Sequence, residues 1–392
     1  MTRWVVVGAG AAGCVVASRL SEVAGNHVTL IEAGSGSPGR ESHDAGFFDA
    51  MAEPGRLFPG PFARGRGLGG SSAVNGMIAT PGDLAQYESW GWFDAEDAFA
   101  RIRVPLEIPT DEELGPMDRF LLAAAPDAAK ARLTRRNGRR VTAAEAYLPG
   151  TSVDVVGESE VASISFTGRR ATGVQLADGR SLAADEVVVA AGAIGSPLLL
   201  AASDVDVPGV GQDLQNHVGL PITVRLREPG GDSHALVAGS LLRRGDLQLF
   251  PVNYAAPDRP DESILLVVVM TPTGRGAVTA GDAGGAGVHQ QIDDHDRALL
   301  VAGVALAHEV LDHPAVRSQI DDIRVGDAPE LVFHPTSTCR MGVVVDDDGA
   351  VVGYEALHVV DASVFPSIPH ANTYLPTLMV AERLAARLVA RR

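Results

Sequence analysis

The chain has 392 residues, 46% hydrophobic and 21% charged, with a formal net charge of −17. That length and apolar share support a sizeable core and exceed one simple layer unit, so two linked domains are expected. The acidic balance, against one short basic cluster at 132–140, argues against nucleic acid as a partner.

Cys14 and Cys339 are too few and too far apart for a disulfide framework or a zinc site, so no metal is expected and a reducing, cytoplasmic setting is. A strand-like run at 4–7 follows the first residue so closely that no signal peptide is expected. Apolar runs such as 187–202 are broken by Gly and Pro, so none reads as a transmembrane segment. Peripheral contact with the inner face of the cell membrane stays open.

Trp4-Val5-Val6-Val7 is a continuous apolar run of the kind a buried parallel strand needs. It meets Gly8-Ala9-Gly10-Ala11-Ala12-Gly13, a G-x-G-x-x-G; 14–20 is then helical in pattern, and 28–31 reads as a second strand ending at Glu32. In such a unit Gly8 permits the tight turn, Gly10 lets backbone approach a pyrophosphate, and Gly13 lets helix pack on strand. Ala11 and Ala12, inside this loop, are counted with it among the cofactor-binding residues. Glu32, 19 residues beyond Gly13, stands where a carboxylate accepts from ribose hydroxyls, which disfavours a 2′-phosphate. A lone G-x-G-x-x-G would mark only a glycine-rich turn. With both strands, the helix and the acid in register, it predicts a dinucleotide site.

A second glycine loop runs Gly65-Arg66-Gly67-Leu68-Gly69-Gly70-Ser71-Ser72-Ala73-Val74-Asn75-Gly76-Met77. Its glycines let main-chain N–H groups crowd onto a phosphate or ring edge, and Ser71, Ser72 and Asn75 add hydrogen bonds. Together with Glu32-Ala33-Gly34, it resembles the first signature of the glucose-methanol-choline (GMC) oxidoreductases, FAD-dependent alcohol oxidases and dehydrogenases. The resemblance implies that Ala33 borders the FAD with Glu32. It further implies that Arg66, Gly69, Gly70, Ser71 and Ser72 run beside the pyrophosphate and ribityl chain, with Asn75, Gly76 and Met77 along the isoalloxazine.

Residues 78–140 lose the βα rhythm. Tyr87, Trp90, Trp92 and Phe93 form an aromatic cluster expected to pack a core, and 95–102 and 116–132 read as helices. The stretch is shorter than its counterpart in the family, and Pro81-Gly82 stands for the usual Arg-Gly, which implies a smaller roof and a more open site. Tyr147-Leu148-Pro149 resembles the return to the flavin domain. Strands are expected at 153–156, 160–164 and 171–176, with a turn at Asp178-Gly179; by the resemblance, Val161 passes the adenine. At 184–197 a buried strand ends in a small-residue turn, and a helix is expected to begin near Ser196-Pro197. This run resembles the second GMC signature, implying Ala191 and Gly192 at the cofactor. The match continues to Asn216-His217, where the family commonly ends in Asp-His, and His217 is read as structural.

From 218 to 327, alternating stretches at 222–226, 247–254 and 264–270 predict an antiparallel sheet, with turns at 229–231 and 257–261. An amphipathic helix is expected at 297–311. His289, His295, His308 and His313 have no ligand partner in the pattern and are read as surface or packing groups.

His334 opens His334-Pro335-Thr336-Ser337-Thr338-Cys339-Arg340-Met341-Gly342, resembling the family's His-x-x-Gly-Thr-Cys-x-Met-Gly with Ser337 at the usual Gly. Asp361-Ala362-Ser363 through Pro366 resembles the flavin-contacting Asp-x-Ser-x-x-Pro, implying contacts from Asp361 and Ala362. Asn372, ten residues before Glu382, falls where the family places its second active-site residue, with Thr373 beside it at the cofactor. Imidazole suits the hydroxyl proton because its pKa lies near neutrality, and flavin N5 suits the hydride. Asn372 can hold a developing alkoxide without titrating. A helix read over 376–388 would aim its N-terminal dipole at the flavin N1–C2=O edge. His370 is the rival base, disfavoured because its family position varies.

The expected fold class is α/β and α+β. A Rossmann-like FAD-binding domain spans 1–84, 141–217 and 328–392, with an inserted antiparallel-sheet substrate domain from 85–140 and 218–327. His334 and Asn372 are the implied catalytic pair and noncovalent FAD the cofactor. The compact form and the run from His334 to the last helix are similar to the mycofactocin-associated GMC dehydrogenases of actinobacteria. That similarity implies an alcohol substrate, reduced mycofactocin among the candidates, and a respiratory or quinone acceptor. An O2-using alcohol or sugar oxidase is the alternative; a flavin-binding protein without catalysis is another, disfavoured by the intact pair.

Overall fold

The computed structural model describes every residue except 38, 40–46, 60–61, 229–235, 257, 282–285 and 392, with backbone alone at 47–49. The apolar run at 4–7 becomes the strand Thr2–Val7 at the centre of a five-stranded parallel sheet. Asn26–Ile31 and Glu186–Val189 flank it, and Asp154–Val156 and Leu357–Val359 close the two edges. Val6, Leu30 and Val188 are fully buried, in one core with the helices Ala11–Ser21 and Tyr374–Ala390 and the antiparallel strands Val161–Thr167 and Arg170–Leu176. Continuous apolar strands are what a parallel sheet covered on both faces demands. Val7 aligns with Ile31 on one side and Val189 on the other, so Gly8, Glu32 and Ala190 all leave the sheet at its carboxyl edge. Open α/β sheets bind ligands at that edge.

The first and last helices are locked together by Glu382, a carboxylate 1% exposed. It accepts from Arg19 at 2.8 and 2.9 Å and from the Tyr147 hydroxyl at 2.7 Å, joining the short helix Ala143–Tyr147 to the pair. Removing one partner of such a buried charge pair costs about 3–5 kcal/mol. The last helix runs Tyr374–Ala390, so its start lies two residues nearer Asn372 than the expected 376.

The helix expected to begin at 196 begins at Gly192 and extends to Ala202, with Pro197 inside it. Proline leaves the carbonyl four residues back without its helical donor. That carbonyl belongs to Ala193, and the Thr338 hydroxyl donates to it at 2.6 Å.

The second sheet is antiparallel, in the order Ile320–Val325, Val218–Leu226, Glu262–Val269, Leu247–Val252, Ser240–Arg244, Ala129–Lys130. Helices Pro116–Ala124 and Asp294–Leu311 cover one face, burying Met117, Leu121, Leu249, Val267 and Leu306 in a second core. The helix expected over 116–132 stops at Ala124, before Pro126, and the chain enters the sheet at Ala129–Lys130. The helix expected at 95–102 is Ala95–Ala100. Tyr87, Trp90 and Trp92 stack with Phe99 and Phe365, whereas Phe93 is 81% exposed and takes no part. Tyr87, Trp92, Ala95, Ala98 and Val104 enter the first core, so the segment 87–104, assigned by sequence to the roof, packs on the parallel-sheet half. The turn expected at 229–231, and Pro257 of the turn at 257–261, lie outside the described residues.

Candidate active site

Two glycine loops meet over the carboxyl edge of the parallel sheet, and Glu32 stitches them. One of its oxygens accepts from Ala9 N at 2.9 Å; the other accepts from Gly34 N at 2.8 Å and Gly67 N at 2.9 Å. The Ala9 carbonyl in turn accepts from Gly69 N. A carboxylate offers about four acceptor sites, so Glu32 retains one for a ribose hydroxyl. Its larger service is to hold the loops together, which the spacing from Gly13 alone did not indicate.

Gly8, with φ +101, makes the turn, and a Cβ on Gly13 would lie 1.8 Å from the Gly8 carbonyl oxygen, so glycine is obligatory there. Gly10 is different: a Cβ on it would meet nothing within 4 Å. Open space therefore lies over the start of the helix that Ala11 and Ala12 begin. Gly70 closes against Gly10 from the second loop. Ala33 accepts from the Arg66 guanidinium at 2.7 Å.

Several predicted hydrogen-bonding groups are engaged within the chain. Ser71 Oγ accepts from Gly65 N, while buried Ser72 donates to the Gly69 carbonyl and accepts from Ala143 N. Asn75 Oδ1 accepts from Met77 N and from Arg140 Nη1. Met77 is held at φ +61, a conformation uncommon for a side chain of its size. Gly76 faces Phe250, on the strand Leu247–Val252 of the second sheet. Val161 begins its strand just after Glu158 and Ser159, whose N–H groups donate to the Gly34 and Glu32 carbonyls. Asp361 is buried and accepts from Gly192 N and the Ser196 hydroxyl, while Ser196 accepts from Ala191 N; burial raises the Asp361 carboxyl. Ala362 accepts from Ser337 N. Thr373 caps the last helix without using its hydroxyl on the helix backbone.

His334 follows the strained Phe333 (φ +53), and its backbone N–H donates to Asn216 Oδ1 at 2.8 Å. Its Nδ1 lies 2.9 Å from Nδ1 of His217, with the rings at 89°. Nε2 of His217 lies 3.1 Å from the Pro369 carbonyl. A carbonyl only accepts, so His217 carries its proton on Nε2 and offers a lone pair at Nδ1. His334 must then donate from Nδ1, which leaves its Nε2 as a bare acceptor. Burial pushes His334 down to about 4 and, with the neighbouring His334 ring, holds His217 well below the usual histidine range. Both imidazoles are therefore neutral at pH 7.

Asn372 is oriented with the opposite polarity. Its backbone N–H donates to Thr80 Oγ1 at 3.1 Å, so the Thr80 hydroxyl donates back to Asn372 Oδ1 at 3.3 Å. Gln248 Nε2 reaches the same oxygen at 3.5 Å. With Oδ1 taken, the amide presents Nδ2 as a donor. The loop carrying it is tied at Ile368 by Gln215 and at His370 by Gln86 and Arg243. His370 is half-buried and lowered by burial and by Arg243.

The site thus brings His334 and the Asn372 loop together through His217. His217 had been read as structural; its signal was its place at the end of the second flavin-domain segment, directly before the strand Val218–Leu226. Thr80, Gln248 and Arg140 carried no sequence signal. Among the described residues no cluster of His, Cys, Asp and Glu could hold a metal, and no helix is long and apolar enough to cross a membrane.

Two GMC oxidoreductase family models match this chain, at residues 126–219 and 272–381, together just over half of it. A model of the NAD(P)-binding Rossmann-like domain matches 6–47. An uncharacterised GMC-type oxidoreductase of Rhodococcus erythropolis is 29% identical over 98% of each chain. An oxygen-dependent choline dehydrogenase of Paraburkholderia phytofirmans is 28% identical over 99% of this chain and 94% of its own. In fold, pyridoxine 4-oxidase from Mesorbium loti superposes with a TM-score of 0.91 over 100% of both chains at 21% identity. Aspergillus oryzae formate oxidase does so at 0.89 and 19% identity, over 100% of this chain and 99% of its own.

Proposed function

Because the chain belongs to the GMC oxidoreductase family, we propose that it binds FAD and oxidises an alcohol to a carbonyl compound, with His334 as base. The observation that carries this reading is the His217–His334 contact, which leaves His334 Nε2 a bare acceptor. On the loop that His217 reaches at Pro369, the Asn372 amide supplies a donor. An alcohol needs both: the imidazole accepts the hydroxyl proton while the amide N–H holds the oxygen as it gains charge. General-base transfer of this kind contributes about 10²–10⁴-fold, and a donor to a developing oxyanion about 10²–10³-fold.

FAD fits the cradle that the two glycine loops form. Gly10 leaves open space at a helix N-terminus, Gly192 does the same at another, and Glu32 keeps one acceptor site. The residues to hold it are Gly10, Glu32, the 66–72 loop, Asn75 to Met77, Ala191, Gly192, Asp361, Ala362 and Thr373. Burial pushes both cysteine thiols up and keeps them protonated, hence poor nucleophiles, which supports noncovalent binding. When bound, FAD supplies the acceptor for the hydride from the carbinol carbon. Burial keeps His334 neutral and ready as a base. Phe250 and Gln248, on the roof strand, help to exclude water.

The 28% identity to a choline dehydrogenase, an enzyme named for an alcohol, supports the alcohol class. The narrower reading takes reduced mycofactocin as the alcohol and a respiratory quinone as the acceptor; it rests on the similarity of the run from His334 to the last helix. The test is anaerobic mixing of FAD-loaded protein with mycofactocinol, choline and simple alcohols, followed by exposure to a quinone or to O2. We expect an alcohol to bleach the flavin and the quinone to restore it faster than O2. A flavin that dithionite reduces but none of these alcohols does would sink the oxidoreductase reading; faster recovery in O2 would sink only the dehydrogenase part.

A further inference from the structure

Arg140 is 1% exposed and has no carboxylate within hydrogen-bonding distance among the described residues. Nη1 donates to Asn75 Oδ1 at 2.7 Å and to the Ser72 carbonyl at 3.3 Å. Among the described residues its Nε and Nη2 groups have no hydrogen-bond partner. Buried charges are ordinarily paired, because desolvation costs several kcal/mol per ion. Burial lowers the guanidinium to about 10, with Glu145 and Tyr374 acting on it in the opposite sense, so it remains a cation at neutral pH. A positive charge with no carboxylate hydrogen-bonded to it is thus held in place beside Asn75, and Gly76 and Met77, next in the chain, lie near Phe250.

We propose that Arg140 is a positioning residue for the bound flavin: it fixes the Asn75 amide, and its buried positive charge raises the electron affinity of the ring. This rests on the FAD reading above. Uptake of electrons adds negative charge, and a fixed cation in a low-dielectric interior favours the more negative form. A purely structural arginine would stabilise the fold without moving that equilibrium.

The experiment equilibrates FAD-loaded wild type, Arg140→Gln and Arg140→Lys with a redox dye and reads the flavin potential, alongside FAD content and melting temperature. For Arg140→Gln the oxidised-to-reduced ratio at fixed potential should rise at least about tenfold, about 30 mV more negative for a two-electron couple. Arg140→Lys, which keeps the charge, should stay within about threefold of wild type. The proposal is overturned by a Gln variant within threefold of wild type, or by equal shifts in both variants. It is also overturned if neither variant holds FAD while wild type does, which would make Arg140 a residue of the fold. A wild type that takes up no FAD at all would instead refute the functional reading beneath it, whereas one that binds FAD yet oxidises no alcohol leaves this test intact.

Discussion

His217→Phe tests the tautomer argument directly. In the wild type, the Pro369 carbonyl sets the proton on His217 Nε2, and His217 Nδ1 sets the proton on His334 Nδ1. Phenylalanine keeps a ring in the fully buried position but offers no acceptor. His334 then either leaves Nδ1–H unsatisfied or moves its proton to Nε2, where it no longer acts as a base. An unsatisfied buried donor costs about 1–3 kcal/mol; at 1.36 kcal/mol per tenfold, the competent tautomer falls roughly 5- to 150-fold. The assay is stopped-flow flavin reduction by the active alcohol under anaerobic conditions, over a range of pH. The limiting rate should fall by that factor with little change in substrate affinity. His217→Gln, whose side-chain carbonyl can accept from His334, should recover most of it. A Phe variant that binds FAD and reduces within threefold of wild type would refute the reasoning.

Four further outcomes are expected. His334→Ala should retain FAD but slow flavin reduction by at least about a hundredfold, the lower bound for loss of a general base; near-normal reduction would remove His334 from the mechanism. Gly10→Val should fold with an unchanged melting temperature, because its side chain enters open space, yet lose FAD; full FAD content would show that the space is not the cofactor's. Ser337 stands at φ +71 in a buried loop, so Ser337→Gly should gain about 0.5–1 kcal/mol in urea unfolding; a loss would mean its bond to Thr336 outweighs the strain. His334 lies at about 4 in the folded chain against about 6.5 when unfolded, so the unfolded state binds more protons between those values. The contribution of His334 to stability should therefore be full above about pH 6.5 and fall by about 3 kcal/mol as pH drops to 4, with buried His217 adding in the same direction. His334→Gln should flatten that slope in urea titrations; an unchanged slope would show that the burial is not what shifts the group.

The parallel-sheet half was legible because its determinants are local. A continuous apolar strand, a glycine turn and an acid at fixed spacing encode one another within 32 residues, and Gly13 admits no other side chain. The start of the helix at Gly192 was not legible, since a proline ordinarily marks a first turn; here Thr338, far along the chain, satisfies the carbonyl that Pro197 abandons. Ser337 at the family's glycine looked like a small departure from pattern, and its positive φ explains why glycine is usual there. Ser72 was legible as a loop residue, but its hydroxyl proved to be spent on Gly69 and Ala143. His334 and Asn372 could be located from motif spacing, whereas which nitrogen is free and which amide atom donates depends on His217, Thr80 and Gln248.

Those orienting groups bear on how much of the roof the chemistry needs. His217 is the last residue before Val218–Leu226, an interior strand of the antiparallel sheet, and Gln248 and Arg243 reach the Asn372 loop from Leu247–Val252 and Ser240–Arg244 of the same sheet. The antiparallel sheet therefore helps to orient the proposed catalytic groups, Gln248 and Arg243 acting beside Thr80 on the Asn372 loop. The alignment with the Rhodococcus relative spans 487 positions against 392 residues here, so that relative carries insertions this chain lacks. Gln248 is fixed by ladder register opposite Arg243 and Val268, and His217 directly precedes Val218, paired with Val269.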